Sequence, residues 1–236
     1  MRARSTMAMD PAAFGQVAFG TDRPIMFGRD QPHHGATRRW RKFSPDLFDD
    51  PDGYIEDFGY QILRRSYEGR ELSAVSCLRQ KLRYPLGRFG QFVPHRDVIA
   101  STLLVPPDCP DPLADADILW AKLDEEKIKH DQHLLATPTI WFPSSASQHF
   151  SIRLVQEFAQ TLIVDRYRVA AQLVAHAPNR ISLQGDFHVH LAISARSIGP
   201  FGFGQFVREI LGNGCQLRMH SEWSSWRAGL EGTAKP

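Results

Sequence analysis

Regular spacing of apolar and polar positions begins near residue 55 of this 236-residue chain. Residues 1–54 carry scattered Pro, Gly, Asp and Arg, and they sustain neither the helical period of about 3.6 residues nor the strand period of about 2. We therefore expect residues 1–54 to form a poorly ordered N-terminal arm. The remaining residues, 55–236, are enough for one folded domain with a sizeable core.

Strands and helices are both predicted over the first half of this domain. Ser73 is the expected N-cap of the first helix. Pro138 cannot donate a ladder hydrogen bond, so we expect the strand that contains it at a sheet edge or a bulge. In order, the segments predict strand, helix, strand, helix and strand: EDFGYQILRR (56–65), LSAVSCLRQKL (72–82), VIASTLLV (98–105), LADADILWAKLDEEKIK (113–129) and LLATPTIWF (134–142).

The second half contains the clearest helix, SASQHFSIRLVQEFAQTLIVDRY (145–167), whose apolar residues form one stripe. Two strands follow, VAAQLVAHA (169–177) and FHVHLAISA (187–195). The polar turn PNRISLQGD (178–186) joins them, which predicts a hairpin. Beyond the hairpin we expect a Gly-rich loop at GPFGFG (199–204) and a helical C-terminus at HSEWSSWRAGL.

Charge and cysteine content narrow the function only slightly. The net charge is +2, and basic residues cluster locally in RRWRK (38–42), LRR (63–65) and RQKLR (79–83), where phosphate contacts or plain solvated surface are both possible. The three cysteines lie far apart, which favours a reducing cytoplasm over a disulfide framework. The sequence shows neither a signal peptide nor an apolar run long enough for membrane insertion.

Histidines provide the most specific chemical signal. His188 and His190 share one face of the predicted strand because side chains alternate along a strand. His176 ends the partner strand, so the hairpin can bring three imidazoles together. Three neutral imidazoles suit a divalent ion such as Mn, Zn, Ni or Co and leave a coordination position open. The alternative is that the histidines are half-exposed polar residues on the solvent face.

The segment LVQEFAQTLIVDRYRVAAQLVAHAPNRISLQGDFHVHLAISARSIGPFGFG (154–204) resembles the core of the MobA/MobL family of plasmid mobilisation relaxases. That family has a similar helix, a strand ending in HAP, a polar turn and a strand bearing H-x-H. The resemblance extends more weakly over residues 56–226. It implies the α+β fold of the HUH endonucleases, a central antiparallel sheet flanked by helices, with the histidine-bearing strands in the middle.

The resemblance also implies a chemistry. In such relaxases three histidines hold a divalent metal against the scissile phosphate, and a tyrosine attacks that phosphate, leaving a 5′-phosphotyrosine and a free 3′-hydroxyl. The ligand positions carry over to His176, His188 and His190, with Mn, Mg or Zn as the expected metal. No nucleotide cofactor is implied.

The family tyrosine does not carry over. The family pattern S-A-x-A-A-A-A-Y-R aligns with SAVSCLRQ (73–80), which places Gln80 at the tyrosine position. Tyr84 lies four residues further on and is the expected nucleophile, although Pro85 disfavours helical geometry there. Tyr67 and Tyr60 are the alternatives.

The acidic residues that support the metal in the family are also replaced. The strand 134–142 has Ala136, Thr137 and Thr139 where family members carry Arg-Glu and a further Glu. Loss of such supporting carboxylates typically lowers metal affinity or activity about 10–100-fold. The glutamate of the preceding family helix has three candidate counterparts, Asp124, Glu125 and Glu126.

The expected ligand is single-stranded DNA or a transfer-origin hairpin, with accessory transfer proteins as further partners. An active relaxase and a catalytically inactive relaxase-like DNA-binding or accessory module both fit the sequence, and so does a metal-independent interaction module. Basic residues are expected to contact phosphates: Arg64, Arg65, Arg79, Lys81, Arg83, Arg180 and Arg196. Four phenylalanines are candidates for stacking on bases or for burial under loops: Phe89, Phe92, Phe201 and Phe203.

Overall fold

A computed structural model describes residues 47–67, 69–82, 95–126, 133–143, 145–183 and 185–233 of the chain. Its main sheet has the order β1-β2-β6-β8-β7-β5, and every neighbouring pair is antiparallel. A further strand, β9, pairs with the end of β8, while β3 and β4 form a separate hairpin. The strands are β1 Leu47–Asp49, β2 Phe58–Arg64, β3 Ser66–Tyr67, β4 Arg70–Glu71, β5 Val98–Leu104, β6 His133–Trp141, β7 Val169–His176, β8 His188–Gly199 and β9 Gly202–Phe206.

Helices cover both faces of this sheet. The helices are α1 Ala74–Lys81, α2 Ala116–Glu125, α3 Gln148–Phe158, α4 Asp165–Tyr167 and α5 Cys215–Thr233, with 3-10 turns at Asp111–Ala114, Pro178–Ile181 and Arg208–Ile210. A π-helical segment, Ala159–Val164, joins α3 to α4, so residues 148–167 form one helical run. Across the described ranges, no helix is both long enough and apolar enough to cross a bilayer.

Each face of the sheet has its own core. On one face, sheet residues such as Phe58 and Leu191 pack with Phe158 of α3 and Trp223 of α5. On the other face, residues including Leu135 pack with the helices α1 and α2. The predicted α+β fold, with a central antiparallel sheet flanked by helices and the histidine-bearing strands inside the sheet, is confirmed.

Most of the predicted elements are present with similar bounds. The β7–β8 hairpin has the predicted pairing, with His176 opposite His188. Ser73 caps α1 as predicted, because its hydroxyl accepts a hydrogen bond from the Ser76 amide. The predicted C-terminal helix begins earlier than expected, at Cys215.

The prediction that Pro138 confines its strand to a sheet edge or a bulge was wrong. Strand β6 lies inside the sheet between β2 and β8, and Pro138 pairs in regular register with Tyr60 of β2. On the β8 side, pairing is recorded at Ala136 and again at Thr139 in the same register. The sheet therefore tolerates the missing N–H as a local gap in one ladder.

The Gly-rich segment 199–204 is not a loop throughout. Strand β8 continues to Gly199, and the chain turns back at once into β9 from Gly202. Gly202 has a φ of 106°, a conformation that only glycine adopts readily, which explains how so short a turn forms here.

The last residues of the predicted N-terminal arm belong to the folded domain. Strand β1 lies inside segment 1–54 and pairs with β2. Just beyond it, the Asp52 carboxylate accepts hydrogen bonds from the amides of Gly214 and Gln216 at the start of α5. A carboxylate at a helix N-terminus satisfies amides that have no partner within the helix and favours the helix dipole.

Candidate metal centre and nucleic-acid interface

Three histidine rings converge on one face of the sheet. His176 ends β7, His188 begins β8 opposite it, and His190 follows on the same face. The ring centroids are 5.1 Å apart for His176 and His188, 5.2 Å for His176 and His190, and 4.9 Å for His188 and His190. One ligand atom from each residue lies within 4.8 Å of those of the other two. The strand pairing thus assembles the trio that the spacing predicted.

The Nδ1 atom of each ring faces an oxygen. His188 Nδ1 lies 2.8 Å from the carbonyl oxygen of Asp186, and His190 Nδ1 lies 2.7 Å from the hydroxyl of Thr139. His176 Nδ1 lies 3.4 Å from Oδ2 of Asp97. A carbonyl oxygen accepts only from a protonated ring nitrogen, so His188 carries its proton on Nδ1 and leaves Nε2 available as a ligand. The contacts at His190 and His176 orient the other two rings.

The burial of His176 is also consistent with a metal site. His176 is only 1% exposed, and neither of its ring nitrogens has a hydrogen-bond partner among the residues that the structure describes. Buried polar atoms without partners are uncommon in native proteins, and a bound ion is one accepted explanation. Neutral imidazole nitrogens suit Zn, Mn, Ni or Co, so the residues present fit a divalent ion.

Sequence reasoning missed Asp97. Its side chain is fully buried, with Oδ1 2.7 Å from Nδ1 of His95 and Oδ2 facing His176. Asp97 immediately precedes β5, and Val98 pairs with His176 across the β5–β7 ladder. This pairing joins distant parts of the chain, so the only available signal was the polar HRD triplet at the start of a predicted strand.

The supporting carboxylates expected from the family are replaced rather than absent. Thr139 provides a hydroxyl at His190, and Asp97 provides a carboxylate at His176 from a different strand. The acidic residues at the end of α2 have other partners. Asp124 accepts hydrogen bonds from Ser73 and from the amide of Ala74 at the start of α1, and Glu126 pairs with Arg196.

Lys81 lies beside the histidines instead of on the surface. It is 6% exposed, and its Nζ atom donates to Oε1 of Gln61 at 3.2 Å. The same Nζ lies 3.4 Å from Nδ1 of His190. Helix α1 therefore brings a positive charge to the edge of the candidate metal centre.

Tyr60 cannot serve as the nucleophile. Its ring is fully buried in the core on the opposite face of the sheet, and its hydroxyl donates to the carbonyl oxygen of Ile210 at 2.7 Å. Burial, together with the neighbouring Cys215, raises the pKa of Tyr60 well above its ordinary value. Tyr84 and the side chain of Tyr67 lie outside the described residues, whereas Gln80 is half-buried near the end of α1.

Two of the predicted phosphate contacts have structural partners instead. Arg65 donates to the carbonyl oxygens of Leu123, Asp124 and Glu126, which caps the C-terminus of α2. Arg196 is 7% exposed and joins the β8–β9 hairpin to Glu126, since its guanidinium also donates to the carbonyls of Phe203 and Gly204.

The remaining predicted DNA contacts divide by exposure. Arg64, Arg79 and Arg180 are exposed, whereas Arg83 lies outside the described residues, as do Phe89 and Phe92. Phe201 is fully exposed at the tip of the β8–β9 hairpin. The Cζ atom of the Arg196 guanidinium lies 5.4 Å from the centroid of the Phe203 ring. Phe203 also packs against the core on the α1–α2 face of the sheet.

Comparisons with known proteins found similar solved structures and one matching family. A structure from work on the molecular basis of vancomycin resistance transfer in Staphylococcus aureus is 18% identical, with a TM-score of 0.56 over 75% of this chain and 93% of that chain. A structure of the conjugative relaxase TrwC in complex with oriT DNA, copper-bound, is 9% identical, with a TM-score of 0.44 over 76% of this chain and 71% of that chain. No curated protein matches the sequence significantly. The sequence profile of the MobA/MobL family matches residues 80–228, well over half of the chain, and the protein therefore belongs to the MobA/MobL family.

Proposed function

We propose that this protein is a plasmid mobilisation relaxase that binds single-stranded DNA at a transfer origin and nicks it with a tyrosine beside a three-histidine divalent metal site. Membership of the MobA/MobL family supports the relaxase assignment. The observation that carries the proposal is the convergence of His176, His188 and His190, each with its Nδ1 atom facing an oxygen.

The three histidines would hold the ion, which neutralises charge on the scissile phosphate when it is bound. The protein's own contribution is orientation. Asp97, Thr139 and the Asp186 carbonyl would hold the three rings in one direction, so little reorganisation is needed when the ligand binds. Lys81, the last residue of α1, adds a positive charge beside His190. This charge favours a phosphate nearby.

The proposed reaction is transfer of a phosphoryl group from DNA to the enzyme. A tyrosine oxygen forms a bond to phosphorus while the bond from phosphorus to the 3′-oxygen breaks, so the 3′-oxygen takes up a proton and the phenol loses one. Tyr84 is the proposed nucleophile because it follows α1, the helix that carries Lys81. Exposed Arg64, Arg79 and Arg180, together with Arg83, are the proposed phosphate contacts along the bound strand.

A catalytically inactive DNA-binding module is the second candidate. It is favoured by Gln80, which occupies the position that aligns with the family tyrosine and is half-buried near the end of α1. An amide is not a nucleophile for phosphoryl transfer, so this candidate requires that no other tyrosine acts. Accessory transfer proteins would then supply the cleavage.

Metal content tests the first part of the proposal. The protein is dialysed against Mn, Zn or Mg and analysed by elemental analysis, beside His188→Ala, His190→Ala and the exposed-site control His149→Ala. Near-stoichiometric metal in the wild type and in His149→Ala, lost in the other two variants, is the expected result. Absence of metal from the wild-type protein under all three conditions would overturn the metal-dependent proposal.

Cleavage distinguishes the two candidates. The protein is incubated with single-stranded oligonucleotides that cover candidate transfer origins, and denaturing gels are read for a covalent protein–DNA product. A relaxase produces this product in the wild type and loses it in Tyr84→Phe. If metal and DNA bind but no product forms with any origin, the inactive module is the correct candidate.

A further inference from the structure

The floor of the metal centre continues past the histidines to a tryptophan. Trp141 ends β6 and pairs directly with His188 of β8, so both side chains lie on the same face of the sheet. Their ring centroids are 6.1 Å apart. Trp141 was not among the aromatic residues that the sequence suggested for base stacking, because it appeared only as part of a predicted strand.

The position of the Trp141 ring is fixed from the neighbouring strand. Gly59 of β2 lies beneath it, and a Cβ atom at Gly59 would approach Cη2 of Trp141 to 3.0 Å and Cζ3 to 3.1 Å. Contacts this short are rare, so a side chain at residue 59 would displace the ring. Glycine inside a strand often marks such a close approach. The indole therefore extends from β6 across β2, away from His188.

Charges differ on the two sides of this floor. Arg96 and Arg180 are both exposed. Arg96 precedes β5, which pairs with β7 at His176, and Arg180 lies in the 3-10 turn that follows His176. On the other side, Glu56 and Asp57 are exposed, and the carbonyl oxygen of Asp57 accepts a hydrogen bond from the Trp141 amide. Phosphates are favoured on the histidine side and disfavoured beside the carboxylates, whereas an uncharged base is tolerated next to Trp141.

From this geometry we infer that Trp141 is the stacking platform for the base of the nucleotide next to the phosphate held at the three histidines. The inference rests on the proposed function, because it requires a single strand of DNA at that site. Gly59 is its positioning residue. Base stacking on an aromatic side chain changes affinity by about 5- to 150-fold per base, and it tolerates all four bases because each has a π-face.

The test compares a ligand that has bases with one that lacks them. Binding of fluorescently labelled 12-nucleotide oligothymidylate and of an abasic deoxyribose-phosphate oligomer of equal length is measured in the presence of Mn²⁺. The proteins are the wild type, Trp141→Ala, Trp141→Leu, Trp141→Phe and Phe150→Ala. The last variant is the matched control, since Phe150 is an exposed aromatic residue on α3, which packs on the opposite face of the sheet.

The expected result is a loss of affinity for oligothymidylate of about 5- to 150-fold in Trp141→Ala and Trp141→Leu, with Trp141→Phe close to wild type. Affinity for the abasic oligomer should be unchanged in all variants. Near-ultraviolet circular dichroism identifies a variant that fails to fold. If Trp141→Ala fails to fold, Trp141→Leu and Trp141→Phe carry the comparison, because both leave a smaller cavity than alanine does.

Three outcomes overturn the inference, and the third differs from the first two because it concerns the wild type. If wild type binds oligothymidylate and Trp141→Leu binds it equally well, or if it loses affinity for both oligomers alike, Trp141 does not stack on a base. If the wild type binds neither oligomer, the proposed function fails, and the inference fails with it.

Discussion

Oδ2 of Asp97 lies 3.4 Å from Nδ1 of His176, and both side chains are buried. The other carboxylate oxygen lies 2.7 Å from Nδ1 of His95, so two imidazoles share one carboxylate. A buried carboxylate is costly unless it is paired with hydrogen-bond donors. A carboxylate in this place orients the His176 ring, which supports the proposal that His176 is a metal ligand.

Replacement of Asp97 by Asn should weaken metal binding. The amide keeps the shape of the carboxylate but removes its charge, so His176 becomes a weaker and less well oriented ligand. We expect the affinity for Mn or Zn to fall about 10–100-fold, as measured by titration calorimetry. Arg96→Ala, in the adjacent exposed position, should bind metal like the wild type. Unchanged affinity in Asp97→Asn would show that the carboxylate does not support the site.

Replacement of Thr139 by Val should have a related but smaller effect. Valine has nearly the shape of threonine but lacks the hydroxyl that lies 2.7 Å from His190 Nδ1. We expect metal affinity to fall by about 10-fold, at the low end of the range for supporting residues. Thr137→Val is the control, since Thr137 lies two residues away on the same face and its hydroxyl donates to Gln61. Equal losses in the two variants would point to a general effect on the strand.

Replacement of Asp52 by Ala should destabilise the fold without affecting the metal centre. It removes the carboxylate that accepts from Gly214 and Gln216 at the start of α5. Loss of a helix cap lowers the free energy of unfolding by about 0.5–2 kcal/mol, to be measured by urea denaturation. Metal content should stay at the wild-type level. A free energy of unfolding equal to that of the wild type would contradict the capping role.

The arginines should separate into structural and DNA-binding groups. Arg180→Ala should weaken single-strand binding and reduce the slope of log affinity against log salt by about 1, because one phosphate contact is lost. Arg65→Ala should leave that slope unchanged and lower the free energy of unfolding, because Arg65 caps α2 through three carbonyl oxygens. A salt slope that changes in Arg65→Ala but not in Arg180→Ala would reverse the assignment.

Alkaline pH should destabilise the protein through Cys215. Burial, followed by the nearby Asp52 carboxylate, raises the pKa of this thiol from 9.0 to about 11. The folded state therefore holds the proton more tightly than the unfolded state, so the stabilising contribution is complete below pH 9.0 and is lost as pH rises to about 11. Urea denaturation across this range should show a shallower decline in Cys215→Ala than in the wild type. Identical pH profiles would contradict the prediction.

Local patterns in the sequence predicted that the three histidines converge. His188 and His190 alternate along one strand, and the length of the polar turn brings His176 opposite them, so the trio depends on one hairpin. Asp97 could not be found in this way, because it reaches His176 through the pairing of β5 with β7, which are separated by α2, β6 and the helical run 148–167.

Other features depended on contacts that local patterns do not encode. Pro138 lies inside the sheet because one missing N–H leaves only a local gap, and strong apolar burial on both faces outweighs it. Arg65 and Arg196 were predicted to contact DNA. In the structure Arg65 donates to carbonyl oxygens of α2, and Arg196 donates to carbonyl oxygens of the β8–β9 hairpin. Composition reports the presence of a charge, whereas its partner is set by the tertiary fold.

The contact between Asp52 and α5 has a consequence for biosynthesis. Asp52 and Gln216 are 164 residues apart, so this bond cannot form on the ribosome until the last helix has been made. Long loops must close before such contacts contribute, which slows folding. The segment after β1 therefore lacks its contact with α5 while the histidine hairpin is being synthesised. A gene fusion or truncation that removes residues before 55 would remove the Asp52 carboxylate, so α5 would form without this contact.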